Sequence, residues 1–371
     1  MKPNSSSPPH GLGCHCHTNG VHTKRSFLLS ASAVVGSAIA DSSFKQVIAQ
    51  AAKPDSRGII DVHHHLSPTT FIKALNEHKL GERPIMDWTP ARSIEDMDRA
   101  GVATAITSIT HPGLWFGDSA EAARLARECN EYATRLAVDH PGRFGTFASL
   151  PLPDVDTSLK EIEYAFDTLK ADGIGVMTSF GDKWLGDKSF EPVMQELNRR
   201  RAVLYTHPTV ASCCRNLMPD IHYSVVELAT DTTRAIANLV FTGTASRYPD
   251  IRFIFSHAGG TMPFIYQRFV AYPFLDKALG LNNGIQGKVP AGVLKTLQSF
   301  YYDTAQAAHP MAMKPLANLV SAKKILFGTD FPFRTAADHV KGLGGCEFGE
   351  QDLALIYRGN ALQLIPQLGR G

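Results

Sequence analysis

Eight short apolar runs, separated by longer amphipathic stretches, constrain the fold of this chain more than any other feature. The runs are rich in β-branched residues and lie at 58–62, 103–109, 144–150, 173–177, 202–206, 252–256, 299–303 and 325–328. The helix-like stretches between them include 119–138, 157–169, 190–200, 225–247, 310–320 and 350–364. This alternation predicts repeated βα units and a parallel sheet. Eight such units fit a closed barrel better than an open sheet, so we expect an α/β fold, a (β/α)8 TIM barrel with loop insertions.

The composition agrees with a large globular domain and excludes several other classes of protein. Of the 371 residues, 44% are hydrophobic and 19% are charged, which excludes collagen, a long coiled coil and wholesale disorder. The 37 basic residues are nearly balanced by 35 acidic ones, and no Lys/Arg block is present. We therefore expect a small-molecule partner and no nucleic acid.

The first 51 residues have the order of an export signal. Lys24 and Arg25 precede an apolar run at 26–40, and A-x-A cleavage patterns occur at 38–40 and 49–51. The string at 23–29 resembles a twin-arginine signal with Lys24 in place of the first arginine. We expect residues 1–51 to be a removable leader of an exported, periplasmic protein. A cytoplasmic location is the alternative if the Lys-Arg signal is not functional.

The rest of the chain, 52–371, reads as a single barrel domain. No linker divides it, and no segment after the leader is long and charge-free enough to cross a bilayer, which takes about 20 apolar residues. We therefore expect the mature form to lack a membrane span.

Histidines at the end of the first predicted strand indicate a metal site. In an extended strand, residues two apart share a face, so His63 and His65 point together while His64 points away. His207, His257 and Asp330 each follow another predicted strand. The carboxyl ends of barrel strands converge on one pocket, so these side chains are expected to meet at the C-terminal face. Three histidines, a carboxylate and an open position are typical of catalytic zinc or a similar ion.

Several of these segments together resemble the amidohydrolase superfamily, in particular the branch with aminocarboxymuconate-semialdehyde decarboxylase and the resorcylate-type decarboxylases. The resemblance covers residues 58 to about 365. It rests on Asp61-Val62-His63-His64-His65, Tyr205-Thr206-His207-Pro208, Ser256-His257-Ala258-Gly259-Gly260, Gly328-Thr329-Asp330-Phe331-Pro332-Phe333 and, more weakly, Trp88-Thr89-Pro90 and Asp96-Met97-Asp98.

The resemblance implies that one divalent ion, Zn²⁺ or alternatively Mn²⁺, is held by His63, His65, His207 and Asp330. It also implies that His257 is an acid/base group and that Asp330 doubles as a catalytic residue. Binuclear members of the superfamily carry a bridging lysine after the fourth strand, and Met177-Thr178-Ser179 stands there in this chain. One metal is therefore expected. The resemblance further implies a homodimer.

Substrate contacts are predicted more loosely. Phe180, Trp184 and Phe333 lie near the expected rim and could stack on a planar substrate, and Thr178 could donate a hydrogen bond to it. Arg83 lies in the region where the resemblance places an arginine for the substrate carboxylate, and a surface role is the alternative. Asp303, at the end of the seventh strand, either orients a ligand histidine or caps a helix.

Two enzymatic functions and one other function are compatible with such a site. The resemblance favours a mononuclear metal-dependent decarboxylase, a carboxy-lyase, of a small aromatic or unsaturated carboxylic acid. A metal-dependent hydrolase of a lactone, ester or amide is the alternative, because metal sites of this kind serve both reactions. A non-catalytic metal-binding protein of the cell envelope is the third possibility.

Overall fold

The computed structural model of the chain describes residues 58–369. Eight parallel strands form one sheet in the order β1-β2-β3-β4-β7-β8-β9-β10, and β5 pairs with β6 as a small antiparallel hairpin. The strands are β1 (Ile59–His65), β2 (Val102–Ser108), β3 (Phe144–Ser149), β4 (Gly173–Met177), β5 (Ser179–Phe180), β6 (Lys183–Trp184), β7 (Val203–His207), β8 (Arg252–Phe255), β9 (Tyr301–Asp303) and β10 (Ile325–Leu326). The expected (β/α)8 barrel is confirmed.

Helices connect the strands. They are α1 (Thr69–Glu77), α2 (Arg83–Met86), α3 (Pro90–Ala100), α4 (Ser119–Asp139), α5 (Val155–Glu163), α6 (Glu191–Arg199), α7 (Glu227–Phe241), α8 (Thr244–Arg247), α9 (Met262–Ala278), α10 (Ile285–Lys288), α11 (Val293–Ser299), α12 (Pro310–Leu319), α13 (Ala336–Gly344), α14 (Glu350–Ala354) and α15 (Asn360–Leu364). Several begin at a side-chain cap: the Asp118 carboxylate, for example, accepts from the Glu121 amide at 2.7 Å. Within residues 58–369, no helix is both long and apolar enough to cross a membrane.

The first and last strands close the barrel through a buried carboxylate. Asp61 in β1 accepts hydrogen bonds from the Thr329 hydroxyl at 2.6 Å and the Thr329 amide at 3.2 Å. The amide of Val62 donates to the Phe327 carbonyl at 2.9 Å. An inner cluster of buried residues from six of the eight strands, which includes Val62 and Tyr205, fills the barrel, and a larger cluster lies between strands and helices.

Some element boundaries differ from the sequence expectation. Strand β1 continues through His65 instead of ending at Val62, because its buried polar residues still pair with β2. The long connection 66–100 between the first two strands holds three helices, and the predicted helix 225–247 is two helices separated by Gly243 in a left-handed conformation. The histidines at the end of β1 are polar and do not follow the apolar pattern that marks a strand in the sequence, so the predicted strand ended at Val62.

Candidate metal centre

Four side chains meet at the carboxyl ends of the barrel strands. His63 and His65 lie in β1, His207 is the last residue of β7, and Asp330 lies in the loop after β10. All four are buried, and their ligand atoms lie within 4.8 Å of one another. Among residues 58–369, this is the one group of three or more His, Cys, Asp or Glu side chains placed to share an ion.

The nitrogen Nε2 of each histidine faces Asp330. Asp330 Oδ1 lies 2.8 Å from Nε2 of His65, 3.2 Å from Nε2 of His63 and 3.9 Å from Nε2 of His207. The two Nε2 atoms of His63 and His65 are 3.1 Å apart. Four bonds of about 2.0–2.1 Å in tetrahedral geometry would place neighbouring ligand atoms about 3.3–3.4 Å apart, so the group has the dimensions of a metal site.

The opposite nitrogens, Nδ1, fix the orientation of the three rings. His63 Nδ1 donates to Asp303 Oδ2 at 2.8 Å. Nδ1 of His65 and Nδ1 of His207 face the carbonyls of Ser108 at 3.2 Å and Pro208 at 2.9 Å. A ring that donates from Nδ1 keeps a lone pair on Nε2 when it is neutral, so three lone pairs point at one place. Such lone pairs repel one another unless a cation lies between them.

In the metal-free protein, two of the three rings are neutral and one is protonated. Burial lowers the pKa of His65 and of His207, so both rings are neutral, as metal binding requires. Burial alone would also lower the pKa of His63, but the carboxylates of Asp303 and Asp330 outweigh it and raise the pKa to about 10. Burial would raise the pKa of Asp330, but the charge of His63 and the facing imidazoles hold it well below its usual range. In the metal-free site, His63 is therefore the one ring of the three that is protonated on both nitrogens.

His207 supplies a separate indication of a missing ligand. Its Nε2 is buried and has no hydrogen-bond partner among the described residues. A buried polar atom without a partner costs about 1–3 kcal/mol, so such atoms are uncommon unless an ion or water satisfies them. A divalent ion bound to His63, His65, His207 and Asp330 would satisfy this atom, and the residues present therefore fit the group.

The backbone around the site is tightly constrained. Asp330 and His257 adopt φ angles of 65° and 55°, in the left-handed region that is uncommon for residues other than glycine. Gly328 approaches the site so closely that a Cβ atom there would lie 2.8 Å from Cβ of His63 and 3.0 Å from Cβ of Asp303. Only glycine fits between these two side chains.

Asp303 connects two of the predicted site residues. Besides accepting from His63, it accepts from the backbone amides of His257 at 2.8 Å and Ala305 at 3.0 Å through Oδ1. Of the two roles considered from sequence, orientation of a ligand histidine is the one that these contacts support.

The second oxygen of Asp330 faces the acid/base candidate. Oδ2 lies 3.4 Å from Nε2 of His257 and accepts a hydrogen bond from the side-chain amide of Gln306 at 2.8 Å. His257 is thus the fifth polar side chain of the group. Sequence reasoning missed Gln306, although it lies only three residues after Asp303 at a strand end.

The predicted substrate residues are placed differently from one another. The ring of Phe333 lies next to the site, 6.3 Å from the ring of His65. Phe180 is buried and packs edge-on against Phe190 in the core. The side chain of Arg83 is 91% exposed and pairs with Asp87 at 3.2 Å, and it is not among the side chains gathered around Asp330.

Thr178 and Trp184 share a buried carboxylate that the sequence did not reveal. The Thr178 hydroxyl and the Trp184 indole both donate to Asp231 of α7, the latter at 2.9 Å. The Thr178 amide donates to the carbonyl of His207 at 2.9 Å, and its hydroxyl accepts from the Thr209 amide at 3.1 Å. These groups therefore brace the strand end that carries His207.

Comparisons with known proteins identify the family of the chain. The family model described as amidohydrolase matches residues 60–367. The chain is 34% identical to 6-methylsalicylic acid decarboxylase of Penicillium expansum, over 83% of this chain and 96% of that one. It is 27% identical to 2-amino-3-carboxymuconate-6-semialdehyde decarboxylase of Dictyostelium discoideum, over 75% and 77% of the two chains.

A solved structure shows the same fold. It is the dihydroxybenzoic acid decarboxylase of Polaromonas sp., determined with bound manganese and 2-nitroresorcinol, with a TM-score of 0.73 and 21% identity over 85% of this chain and 98% of that one. The resemblance drawn from the sequence is confirmed by these matches: the chain belongs to the amidohydrolase family, and its named relatives include aromatic acid decarboxylases.

Proposed function

We propose that the chain is a metal-dependent decarboxylase that releases CO₂ from a small aromatic acid, with a hydroxybenzoate such as 6-methylsalicylate as the first candidate. The observation that carries this proposal is the position of Asp330, which presents Oδ1 to the three ligand histidines and Oδ2 to His257. The substrate class comes from the relatives named above.

A divalent ion at this site would polarise the oxygens of the substrate. Decarboxylation of an aryl carboxylate consumes one proton, which must reach the ring carbon that loses the carboxylate. In our proposal, His257 passes a proton from Nε2 to Asp330 Oδ2 across 3.4 Å, and Asp330 delivers it to that carbon. The C–C bond then breaks, its electron pair restores the aromatic ring, and CO₂ leaves.

We propose one metal ion and favour zinc. Three imidazoles and one carboxylate suit zinc, which binds such donors more tightly than manganese does. Manganese is the alternative, and elemental analysis of the purified protein decides between them. Met177 and Thr178 supply no lysine at the end of β4 to bridge a second ion.

We assign the substrate ring to the neighbourhood of Phe333, the aromatic candidate that contacts a ligand histidine. The hydroxyl of Thr178 and the indole of Trp184 are engaged with Asp231, so we assign them to support of the pocket wall. Arg83 could bind a substrate carboxylate only if its exposed guanidinium leaves Asp87.

A CO₂ assay with 6-methylsalicylate and 2,6-dihydroxybenzoate tests the function, with a lactone and ester panel alongside. If the protein is the proposed decarboxylase, the wild type releases CO₂ from at least one of these acids and the Asp330→Asn variant releases none. Acid release from a lactone without CO₂ would favour the hydrolase. Metal binding without any turnover would favour the non-catalytic protein.

We propose that the protein is a homodimer whose interface includes α9. Helix α9 and the turn after it expose large apolar side chains, namely Phe264 at 84%, Phe274 at 73% and Leu279 at 67%. Exposed patches of this kind mark interaction sites, and a second copy of the chain offers a matching apolar face. Sedimentation analysis of the wild type and of Phe264→Asp/Phe274→Asp tests this; a monomeric wild type would contradict it.

We propose that residues 1–51, which lie outside the described residues, direct export through a twin-arginine-like signal. Sequencing the N-terminus of the mature protein tests this proposal. A cut after residue 40 or 51 supports it, and cytoplasmic protein that retains Met1 contradicts it.

A further inference from the structure

Gln306 reaches the carboxylate of Asp330 from the protein surface. Its side-chain amide donates to Asp330 Oδ2 at 2.8 Å, the same oxygen that Nε2 of His257 faces at 3.4 Å. Gln306 is exposed, whereas Asp330 is only 5% exposed. The side chain therefore reaches from the surface to the oxygen to which we assign the proton transfer.

The backbone of Gln306 is held in an unusual conformation. Its φ angle is 55°, which costs a residue with a side chain about 1 kcal/mol or more and persists only where surrounding contacts enforce it. One such contact is a hydrogen bond at 3.0 Å, which the backbone amide of Gln306 donates to Nε2 of His339.

His339 is well placed to accept this hydrogen bond from the backbone amide of Gln306. It lies in α13, is 2% exposed, and its Nδ1 donates to the Thr335 carbonyl at 2.9 Å. With the proton on Nδ1, Nε2 carries the lone pair that accepts from Gln306. Burial lowers the pKa of His339, so the ring stays neutral and keeps this lone pair at neutral pH.

We propose that Gln306 is a positioning residue that fixes Oδ2 of Asp330 for proton delivery, and that His339 in turn holds Gln306 in place. The inference rests on the proposed function, and it adds to that function two residues on the far side of Asp330 from the metal ligands. An amide is suited to this role because it donates a hydrogen bond without adding a charge. Asp330 Oδ1 remains directed at the ligand histidines.

The test compares Gln306→Leu with Gln298→Leu. Gln298 is a matched control because it is also exposed and also donates its side-chain amide once, to the Leu319 carbonyl at 3.0 Å. We expect Gln306→Leu to lower kcat about 10- to 100-fold with KM changed less than about threefold, since misplacing a reacting group acts on the chemical step. The control should keep wild-type values.

A second measurement does not depend on turnover. With Co²⁺ as the probe ion, Gln306→Leu should shift the visible absorption spectrum, because Asp330 turns at the metal, while Gln298→Leu should not. Unchanged kcat and an unchanged Co²⁺ spectrum in Gln306→Leu would overturn the proposal. If Gln306→Leu folds poorly, Gln306→Met is measured in the same way, with the same criteria.

The role of His339 is tested by His339→Leu alone and in the Gln306→Leu background. If both residues act through one contact, the double variant loses no more kcat than Gln306→Leu does, and additive losses would overturn this part. Failure of the proposed function looks different: the wild type would then release no CO₂ from any acid, while the Co²⁺ comparison could still be made.

Discussion

His63 and Asp303 lie 240 positions apart in the chain, yet Nδ1 of the first donates to Oδ2 of the second at 2.8 Å, with both side chains fully buried. The same carboxylate also holds the backbone of His257. A ligand histidine paired with a carboxylate has a fixed tautomer and a more basic Nε2. One residue at the end of β9 therefore contacts both a candidate metal ligand and the acid/base candidate.

Replacing Asp303 with asparagine should weaken metal binding. The variant keeps the shape but loses the charge that supports His63, so we expect the metal affinity to fall about 10- to 100-fold. Competition with a chromophoric chelator measures this. Asp98→Asn, which removes one exposed carboxylate that pairs with Arg143, is the matched control. Equal affinities in the two variants would contradict the role of Asp303.

Metal binding should release a proton. The pKa of His63 in the metal-free protein is raised to about 10, whereas the metal-bound ring must be neutral. The bound form thus carries one proton fewer, so the apparent affinity should rise about tenfold per pH unit from pH 7 toward about 10. Calorimetry in two buffers of different ionisation enthalpy measures the release. A binding heat that does not depend on the buffer would disprove it.

Removing the metal should lower the thermal stability. A ligand that binds the folded state alone, present at 100 times its Kd, contributes about 2.7 kcal/mol. We therefore expect protein stripped of its metal by a chelator to unfold at a lower temperature. Its unfolding temperature should return to the original value when the ion is added back. His207→Ala lacks one ligand and should show a much smaller recovery. A full recovery in that variant would mean that the ion stabilises the protein elsewhere.

Gly328→Ala should damage the site through packing alone. The added Cβ would meet Cβ of His63 at 2.8 Å and Cβ of Asp303 at 3.0 Å, and overpacking of this kind costs about 1–3 kcal/mol. Chemical denaturation and metal content measure the effect. Gly344→Ala, where nothing lies within 4 Å of the new Cβ, should be neutral or slightly stabilising. Similar losses in both variants would argue against the close approach.

The fold was predictable because its signals are local. Apolar runs such as 144–150 and 252–256 mark strands directly, and both are strands in the structure to within a residue at each end. The end of β1 was missed because three histidines do not look apolar, although the barrel buries them. Broken helices such as the one divided at Gly243 were missed because helical periodicity continues across the break.

The candidate ligands were also predictable, since each lies in or soon after a strand. The residues around them were harder to find. Asp231 lies in the middle of a helix and is buried by contacts with Thr178 and Trp184 that no spacing reveals. Glutamine is a polar residue type that is usually exposed, so the sequence around Gln306 gives no sign of its contact with Asp330. Only the three-dimensional structure shows that contact.

Closure of the barrel by Asp61 and Thr329 has a consequence for how the protein unfolds. The two residues join the chain at its seam, directly beside the histidines of the first strand and Asp330. Parting the seam would pull the carboxylate away from those imidazoles in the same motion. When the metal-loaded protein is heated, the release of its ion and the loss of its tertiary structure should therefore coincide.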